Sequence, residues 1–306
     1  MLDRSKTTTE EKHSLEPVMR KRFWDNPYQY TLTTQVASVD GNKILLKETI
    51  AYAFNGGQED DKAFINGKPI LKLEKDDKNH LIHYTLASNH GLQEGDFVTM
   101  SIDWPRRHRL MRLHFAAELV LEIVTKLFNY EKKGAHIGET SARIDFACAV
   151  NISTHFDEIQ KAYNEIIHAN KPIIKDFSDV QSQRRFWKID GFGQVPCGGT
   201  HVNSTSEVGS ITLKREKTRS NGQAVERIKF TLCDDSSSEF KNFPKLEEKW
   251  KTNRMLSVAS FFALDKIEQN AHDKSGKKKI QYGIASLINE YEGDKVAEGF
   301  LTLKSK

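Results

Sequence analysis

The chain has 306 residues, a length that fits two compact domains better than one core. Hydrophobic residues make up 38% of the sequence and charged residues 29%, which excludes a fully disordered chain and allows sizeable buried cores. The formal net charge of +4 is too small for a protein that coats nucleic acid, so any polyanion has to bind local basic clusters.

The N-terminal residues and the apolar stretches are not expected to act as an export signal or a membrane span. The N-terminal residues are polar, and the apolar runs are too short to cross a bilayer. The three cysteines are odd in number and far apart, which argues against a disulfide framework and leaves a metal or catalytic role open for one of them. We therefore expect a cytoplasmic protein that does not bind membranes.

The first part of the chain predicts β structure. Residues 1–22 mix polar residues without periodicity and are expected to form a flexible lead-in. Over residues 23–105, short apolar alternations are separated by turn signals such as Asp40-Gly41 and Asn66-Gly67. This pattern predicts a small β-barrel or sandwich domain.

The hydrophobic period changes after Pro105, which marks the predicted start of a second domain over residues 106–235. Apolar residues recur at helical spacing from Leu110 to Leu127 and predict one long helix that ends near Tyr130. The remaining elements of this domain are expected to be a strand at 144–150, a helix at 156–170, a strand at 186–193 and a hairpin closed near Asn221-Gly222. Together they predict an α+β fold, followed by a mostly helical C-terminal extension of unknown role at 236–306.

Two short motifs in the second domain could hold a metal ion. His114 and Glu118 are four residues apart on the predicted helix, so both side chains project from the same face. Cys197 and His201 flank glycines that let the backbone curl until both side chains reach one ion. Nitrogen, oxygen and sulfur ligands suit Zn²⁺. Each motif alone is weak, because a His/Glu pair at this spacing is more often an ordinary surface pair.

The order and spacing of several motifs resemble the editing domain shared by alanyl-tRNA synthetase and the free-standing AlaX-type trans-editing proteins. The helix WPRRHRLMRLHFAAEL is similar to the family's arginine-rich segment and H-x-x-x-H helix. The other matching segments are Arg143 to Phe146 for R-[IF]-D-F, Cys197 to His201 for C-G-G-T-H, Glu207 to Gly209 for E-[IV]-G, and Thr49 to Asp61 for the glycine-rich segment of the family's β-barrel. The resemblance covers about residues 25–233. It implies an N-terminal β-barrel followed by an α+β zinc-binding editing domain.

The resemblance also implies an activity. Members of the family hydrolyse the ester between a wrongly attached amino acid and tRNA, so we expect a zinc-dependent deacylase of Ser-tRNA(Ala), with Gly-tRNA(Ala) as a further substrate. The implied metal ligands are His114, Glu118, Cys197 and His201. The hydroxyl of Thr49 is expected to recognise a serine side chain, because a buried hydroxyl prefers a substrate that pairs with it. Gly56, Gly57 and Gln58 are expected to contact the substrate, Gln58 through its donor and acceptor groups.

Two departures from the family pattern leave alternatives open. Glu118 stands where the family has a second helix histidine, and Asn55 replaces the first of three glycines. Glu118 could bind zinc as the fourth ligand, act as a general base beside a three-ligand site, or mark a site that has lost its metal.

Basic residues at the start of the long helix are the candidate tRNA contacts: Arg106, Arg107, Arg109 and Arg112. Positive charge at a helix N-terminus is unfavourable unless an anion is nearby, which favours this cluster over other basic runs. Two other functions remain open. One is a non-catalytic tRNA-binding module with a structural or lost metal, and the other is a hydrolase of small acylated compounds.

Overall fold

The computed structural model describes residues 19–220 and 223–233, and all structural statements concern these residues. The predicted C-terminal extension at 236–306, the turn at 221–222 and most of the predicted lead-in lie outside the described residues.

The described chain alternates short strands with a few helices. Its strands are β1 (Arg20–Lys21), β2 (Thr31–Asp40), β3 (Lys43–Leu46), β4 (Glu48–Thr49), β5 (Ala63–Ile65), β6 (Lys68–Pro69), β7 (Lys72–Lys75), β8 (Ile82–Thr85), β9 (Phe97–Ile102), β10 (Glu131–Ile137), β11 (Ala142–Ala147), β12 (Ile174–Asp179), β13 (Arg184–Ile189), β14 (Gly193–Pro196), β15 (Ile211–Ser220) and β16 (Gln223–Leu232). Its α-helices are α1 (Arg22–Asp25), α2 (Trp104–Phe128), α3 (Phe156–His168) and α4 (Thr205–Val208), and a 3₁₀ turn spans Ile152–His155.

The first part of the chain forms a seven-stranded sheet in the order β6-β5-β9-β2-β3-β8-β7. All its strand pairs are antiparallel, and alternate residues of β2 such as Leu32, Thr34 and Val36 point into the first core. The sheet curls into a half-barrel and stays open, since the edge strands β6 and β7 do not pair with each other in the described residues. Where the sequence predicted a small β-barrel or sandwich, the structure has an open, curled half-barrel sheet.

Ordered structure begins before the predicted end of the lead-in. Met19 is buried in the first core with 3% exposure, and Lys21 pairs with Thr49 in the short parallel ladder between β1 and β4. An apolar side chain here gains free energy by leaving water, so residues 19–22 belong to the half-barrel and not to a flexible segment.

Both ends of helix α2 are capped by residues next to them in the sequence. The side chain of Asp103 caps the N-terminus by accepting the N–H of Arg106 at 3.1 Å, with Pro105 in the first turn. Asn129 ends the helix in the left-handed conformation with φ 55°, and its N–H donates to the carbonyl of Thr125 at 3.0 Å. The predicted helix is thus confirmed, ending two residues before Tyr130.

The second core forms around α2. On it pack α3, a four-stranded antiparallel sheet in the order β10-β11-β16-β15, and a three-stranded sheet in the order β12-β13-β14. Large side chains such as Phe115, Phe146 and Trp187 have no exposed surface. This combination of helices and antiparallel sheets confirms a mixed α and β fold. In the described ranges, no helix is both long enough and apolar enough to span a membrane.

A turn of the half-barrel segment reaches the second core. The carbonyl of Gly57 accepts the N–H of Ile137 at 2.8 Å, and the N–H of Glu59 donates to the carbonyl of Ile137 at 2.9 Å. Gly57 has φ +92°, and a Cβ there would lie 2.9 Å from the carbonyl oxygen of Ala135. Only glycine fits this approach, which carries the intervening residue, Gln58, into the second core.

Candidate metal centre

Three side chains from two distant segments converge on one point. His114 lies on α2, and Cys197 and His201 lie in the loop after β14. Their candidate ligand atoms are all within 4.8 Å of one another. The Sγ of Cys197 is 3.5 Å from Nε2 of His114 and 3.3 Å from Nε2 of His201. Both histidines are buried, with 4% and 2% exposure, and Cys197 is half-buried.

The loop around Cys197 depends on a glycine for its contact with α2. A Cβ on Gly199 would lie 2.1 Å from Cε1 of His114, so no other residue fits without displacing the imidazole. The loop is fixed at its start by Cys197, whose N–H donates to the carbonyl of Arg185 at 2.9 Å. Trp24 then donates its Nε1–H to the carbonyl of Gly198 at 2.9 Å.

Gln58 orients the imidazole of His114. Its Oε1 lies 2.6 Å from Nδ1 of His114 and accepts the backbone N–H of Thr200 at 3.3 Å, while its Nε2 donates to the hydroxyl of Thr200 at 3.0 Å. A backbone N–H can only donate, which fixes Oε1 as the atom facing Nδ1. Nδ1 of His114 therefore carries a proton, and Nε2, which faces Cys197, is the nitrogen that could bind a metal.

Glu118 lies beside these three ligands. Its Oε1 is 3.3 Å from Nε2 of His114, and its Oε2 accepts the Nε1–H of Trp187 at 3.1 Å. Glu118 does not belong to the group whose ligand atoms are mutually close. The structure thus assembles three of the four predicted ligands, with the carboxylate next to them and held by an indole.

The charges of the cluster depend strongly on one another. Burial disfavours the charged imidazole of His114, but the negative charges of Cys197 and Glu118 outweigh it and raise its pKa to about 10. Burial likewise opposes ionisation of Glu118, yet its contact with His114 lowers the carboxyl pKa to about 2. Burial, followed by the positive charge of His114, holds the pKa of His201 well below its usual range.

The donor set fits zinc. Two imidazole nitrogens and a thiolate are common ligands of catalytic zinc sites, which keep a further position for water or substrate. Gln58 supplies the outer hydrogen bond that metal-bound histidines usually make. His114, Cys197 and His201 are therefore the residues that could hold such an ion.

Thr49 does not reach this cluster through any described contact. The side chain has no exposed surface. Its hydroxyl accepts from the hydroxyl of Tyr84 at 2.6 Å and from the N–H of Ala51 at 3.0 Å, both within the first core. The hydroxyl is thus hydrogen-bonded inside the half-barrel, and the contact with a serine side chain stays a prediction.

The three predicted substrate contacts of the glycine-rich turn, Gly56, Gly57 and Gln58, lie in different surroundings. Gly56, with φ +61°, has open space around its Cα, whereas Gly57 packs against β10. Gln58 has no exposed surface, and its side chain contacts His114 and Thr200. The structure therefore indicates a positioning role for Gln58, acting through His114.

The first two arginines of α2 are held in ion pairs. Arg107 has no exposed surface and binds both carboxylate oxygens of Asp61, which is equally buried. Arg106, 8% exposed, binds Glu59 at 2.8 Å and Glu139 at 2.5 Å. A tRNA phosphate has no access to Arg107, so the predicted contact is corrected for this residue. The charge of Arg107 stabilises the buried carboxylate of Asp61 instead.

The other two arginines differ in exposure. Arg112 is 6% exposed and donates its Nε–H to the carbonyl of Val208 at 3.0 Å. The side chain of Arg109 is 26% exposed and binds Glu139 at 3.1 Å. Arg109 is thus the most exposed of the four arginines, and its contact with an RNA phosphate stays a prediction.

Two residues near the cluster were not singled out from the sequence. Thr200 is 1% exposed and completes the hydrogen bonds of Gln58, a role that its place inside the C-G-G-T-H motif could have suggested. Lys175 donates its Nζ to Asn203 at 2.6 Å and to the carbonyl of Val202 at 3.2 Å, and burial lowers its pKa to about 8. No sequence pattern marks Lys175, because β12 is distant from the loop along the chain.

Comparison with known proteins points to one group. The family model described as the threonyl and alanyl tRNA synthetase second additional domain matches residues 185–229, which include Cys197 and His201. The alanyl-tRNA editing protein AlaX-M of Pyrococcus horikoshii is 29% identical over 216 residues, covering 70% of this chain and 97% of that protein. AlaX-M of Methanosarcina barkeri is 30% identical over 224 residues, covering 64% and 90%.

A longer relative is similar over one part of its length. The alanine–tRNA ligase of Methanococcus aeolicus is 28% identical over 314 residues, an alignment that covers 89% of this chain and 34% of the ligase. The chain thus spans about a third of that enzyme.

Proposed function

Because the chain belongs to the AlaX-type alanyl-tRNA editing proteins, we propose that it is a deacylase that hydrolyses the ester between a wrong amino acid and alanine tRNA. The observation that carries the proposal is the convergence of His114, Cys197 and His201 within 4.8 Å. This cluster offers a hydrolytic centre made by parts of the chain some eighty residues apart.

We propose that Zn²⁺ binds His114, Cys197 and His201. A zinc ion held there would polarise the ester carbonyl and stabilise the charge that develops on its oxygen. Gln58 contributes by holding a proton on Nδ1 of His114, which leaves Nε2, the nitrogen directed at the cluster, as the atom that would give up its proton to a metal ion.

Glu118 is assigned the role of proton acceptor. Its Oε1 lies 3.3 Å from Nε2 of His114, and Trp187 holds its Oε2 in place. In ester hydrolysis, water attacks the carbonyl carbon, the bond between that carbon and the ribose oxygen breaks, and the proton lost by water passes to the departing ribose oxygen. A carboxylate beside the ligands suits this transfer.

Serine-mischarged alanine tRNA is the proposed main substrate, with the glycine-mischarged form as a second one. Support comes from the similarity to alanyl-tRNA editing proteins and from the hydrolytic correction that alanine selection requires. An apolar synthetic pocket rejects an added hydroxyl poorly, so a second, hydrolytic site is needed.

Deacylation assays test the proposal directly. The zinc-loaded full chain is incubated with Ser-tRNA(Ala), Gly-tRNA(Ala) and correctly charged Ala-tRNA(Ala). Release of serine and glycine faster than alanine is expected, and Cys197→Ala should abolish it by removing a ligand. A folded, zinc-loaded protein that leaves all three esters intact would overturn the proposed function.

A further inference from the structure

A surface pocket beside the candidate metal centre gathers positive charge. Lys21, Lys75 and His80 line it from the half-barrel segment, together with the aromatic rings of Trp24 and Tyr52. Basic groups alternate here with flat apolar surfaces, a combination typical of sites for single-stranded nucleic acid.

The pocket is bounded by the two loops that carry site residues. Gly198, the residue after Cys197, lines one wall. Asn55 lines another, and its carbonyl accepts the N–H of Gln58 at 3.1 Å. A molecule in this pocket therefore lies next to the backbone that holds the cluster.

The charge of Lys21 has no counter-ion. Lys21 is 6% exposed, its Nζ donates to Oε1 of Gln183, and it lies 4.6 Å from the ring centroid of Trp24. In residues 19–220 and 223–233, no ion pair involves Lys21, Lys75 or His80. A buried ammonium group without a carboxylate costs free energy, which an incoming anion would recover.

The neighbouring charges act in the same direction. Burial and then repulsion by Lys75 lower the pKa of Lys21 to about 8. Burial, followed by Lys75 and Lys21, lowers the pKa of His80, and the attraction of Asp77 and Asp76 is weaker than these effects. The two lysines thus outweigh the acidic groups that face the pocket.

We propose that this pocket binds the phosphodiester that joins the last two nucleotides of tRNA, and we name it the phosphate pocket. The inference rests on the proposed function, since the ester is carried by the terminal ribose, only a few bonds from that phosphate. Lys21 and Lys75 bind the phosphate as point charges. The predicted arginine cluster on α2 lies on a different segment and is largely paired.

Binding of uncharged ligands tests the phosphate pocket without relying on catalysis. Calorimetry compares the dinucleotide CpA, adenosine and inorganic phosphate on the full chain. The wild type should bind CpA about tenfold more tightly than adenosine, the ratio expected for one charged hydrogen bond. In Lys75→Gln this preference should disappear, and CpA affinity should depend less steeply on salt because one charge contact is lost.

Lys78→Gln is the matched control, because Lys78 is an exposed lysine of the same hairpin that does not line the pocket. It should keep the wild-type preference, and His80→Gln provides a second pocket variant in case Lys75→Gln misfolds. Equal affinity of the wild type for CpA and adenosine would overturn the phosphate pocket, as would an unchanged preference in the folded pocket variants. Inorganic phosphate binding as tightly as CpA would also overturn it, in favour of a free phosphate site. Failed deacylation with intact CpA binding would instead count against the proposed function alone.

Discussion

Replacing Gln58 with leucine should weaken zinc binding although Gln58 is not a predicted ligand. Leucine is similar in size but accepts no hydrogen bond, so Nδ1–H of His114 and the N–H of Thr200 both lose their partner. Both groups are buried, since His114 is 4% exposed and Thr200 is 1% exposed. Loss of such an outer hydrogen bond typically lowers metal affinity by about 10–100-fold.

The same substitution should also destabilise the zinc-free protein. Each buried donor left unpaired costs about 1–3 kcal/mol, so two donors together give a loss of about 2–6 kcal/mol in the free energy of unfolding. Zinc affinity is measured by competition with a chromogenic chelator, and stability by urea denaturation of the zinc-free chain. The two measurements separate a weakened site from a weakened fold.

Two control variants sharpen the result. Gln58→Glu keeps an acceptor oxygen for Nδ1 of His114 and should retain zinc affinity within a few-fold of wild type. Gln35→Leu removes a glutamine of the same half-barrel, one that donates to the carbonyl of Gly95 at 2.8 Å, and should leave zinc affinity unchanged. If Gln58→Leu bound zinc as tightly as wild type, the positioning role of Gln58 would be refuted.

Further predictions concern the loop, the carboxylate and the buried ion pair. Gly199→Ala should lose zinc and lower the melting temperature, because its Cβ would overlap the imidazole of His114. Gly198→Ala should resemble wild type, because nothing lies within 4 Å of its Cβ. Equal behaviour of the two variants would contradict the close approach of Gly199 to His114. Glu118→Gln should keep its zinc by metal analysis but deacylate roughly 100-fold or more slowly, and loss of the metal would show instead that Glu118 is a ligand. Arg107→Leu should lower the free energy of unfolding by about 3–5 kcal/mol in denaturant titration, because Asp61 stays buried and unpaired. A stable variant with weakened tRNA binding would show instead that Arg107 contacts RNA.

Local sequence determined the elements whose signals are carried by neighbouring residues. Asp103, Pro105 and Asn129 set both ends of α2, and the spacing of His114 and Glu118 placed their side chains on one face of it. The glycines of the C-G-G-T-H segment let Cys197 and His201 approach each other, which their Sγ to Nε2 distance of 3.3 Å reflects. These features depend on backbone propensities and on contacts within about one turn, so the long helix and the two short motifs could be predicted from one sequence.

Tertiary structure decided which polar groups are free to act. The sequence does not tell whether Thr49 and Arg107 are buried. Only the folded half-barrel shows that Tyr84 bonds Thr49, and only its packing against α2 shows that Asp61 pairs with Arg107. Gln58 reaches His114 through a turn that docks on β10, a contact between residues 56 positions apart in the sequence. Burial and long-range pairing depend on how separate segments meet, and no local pattern records this.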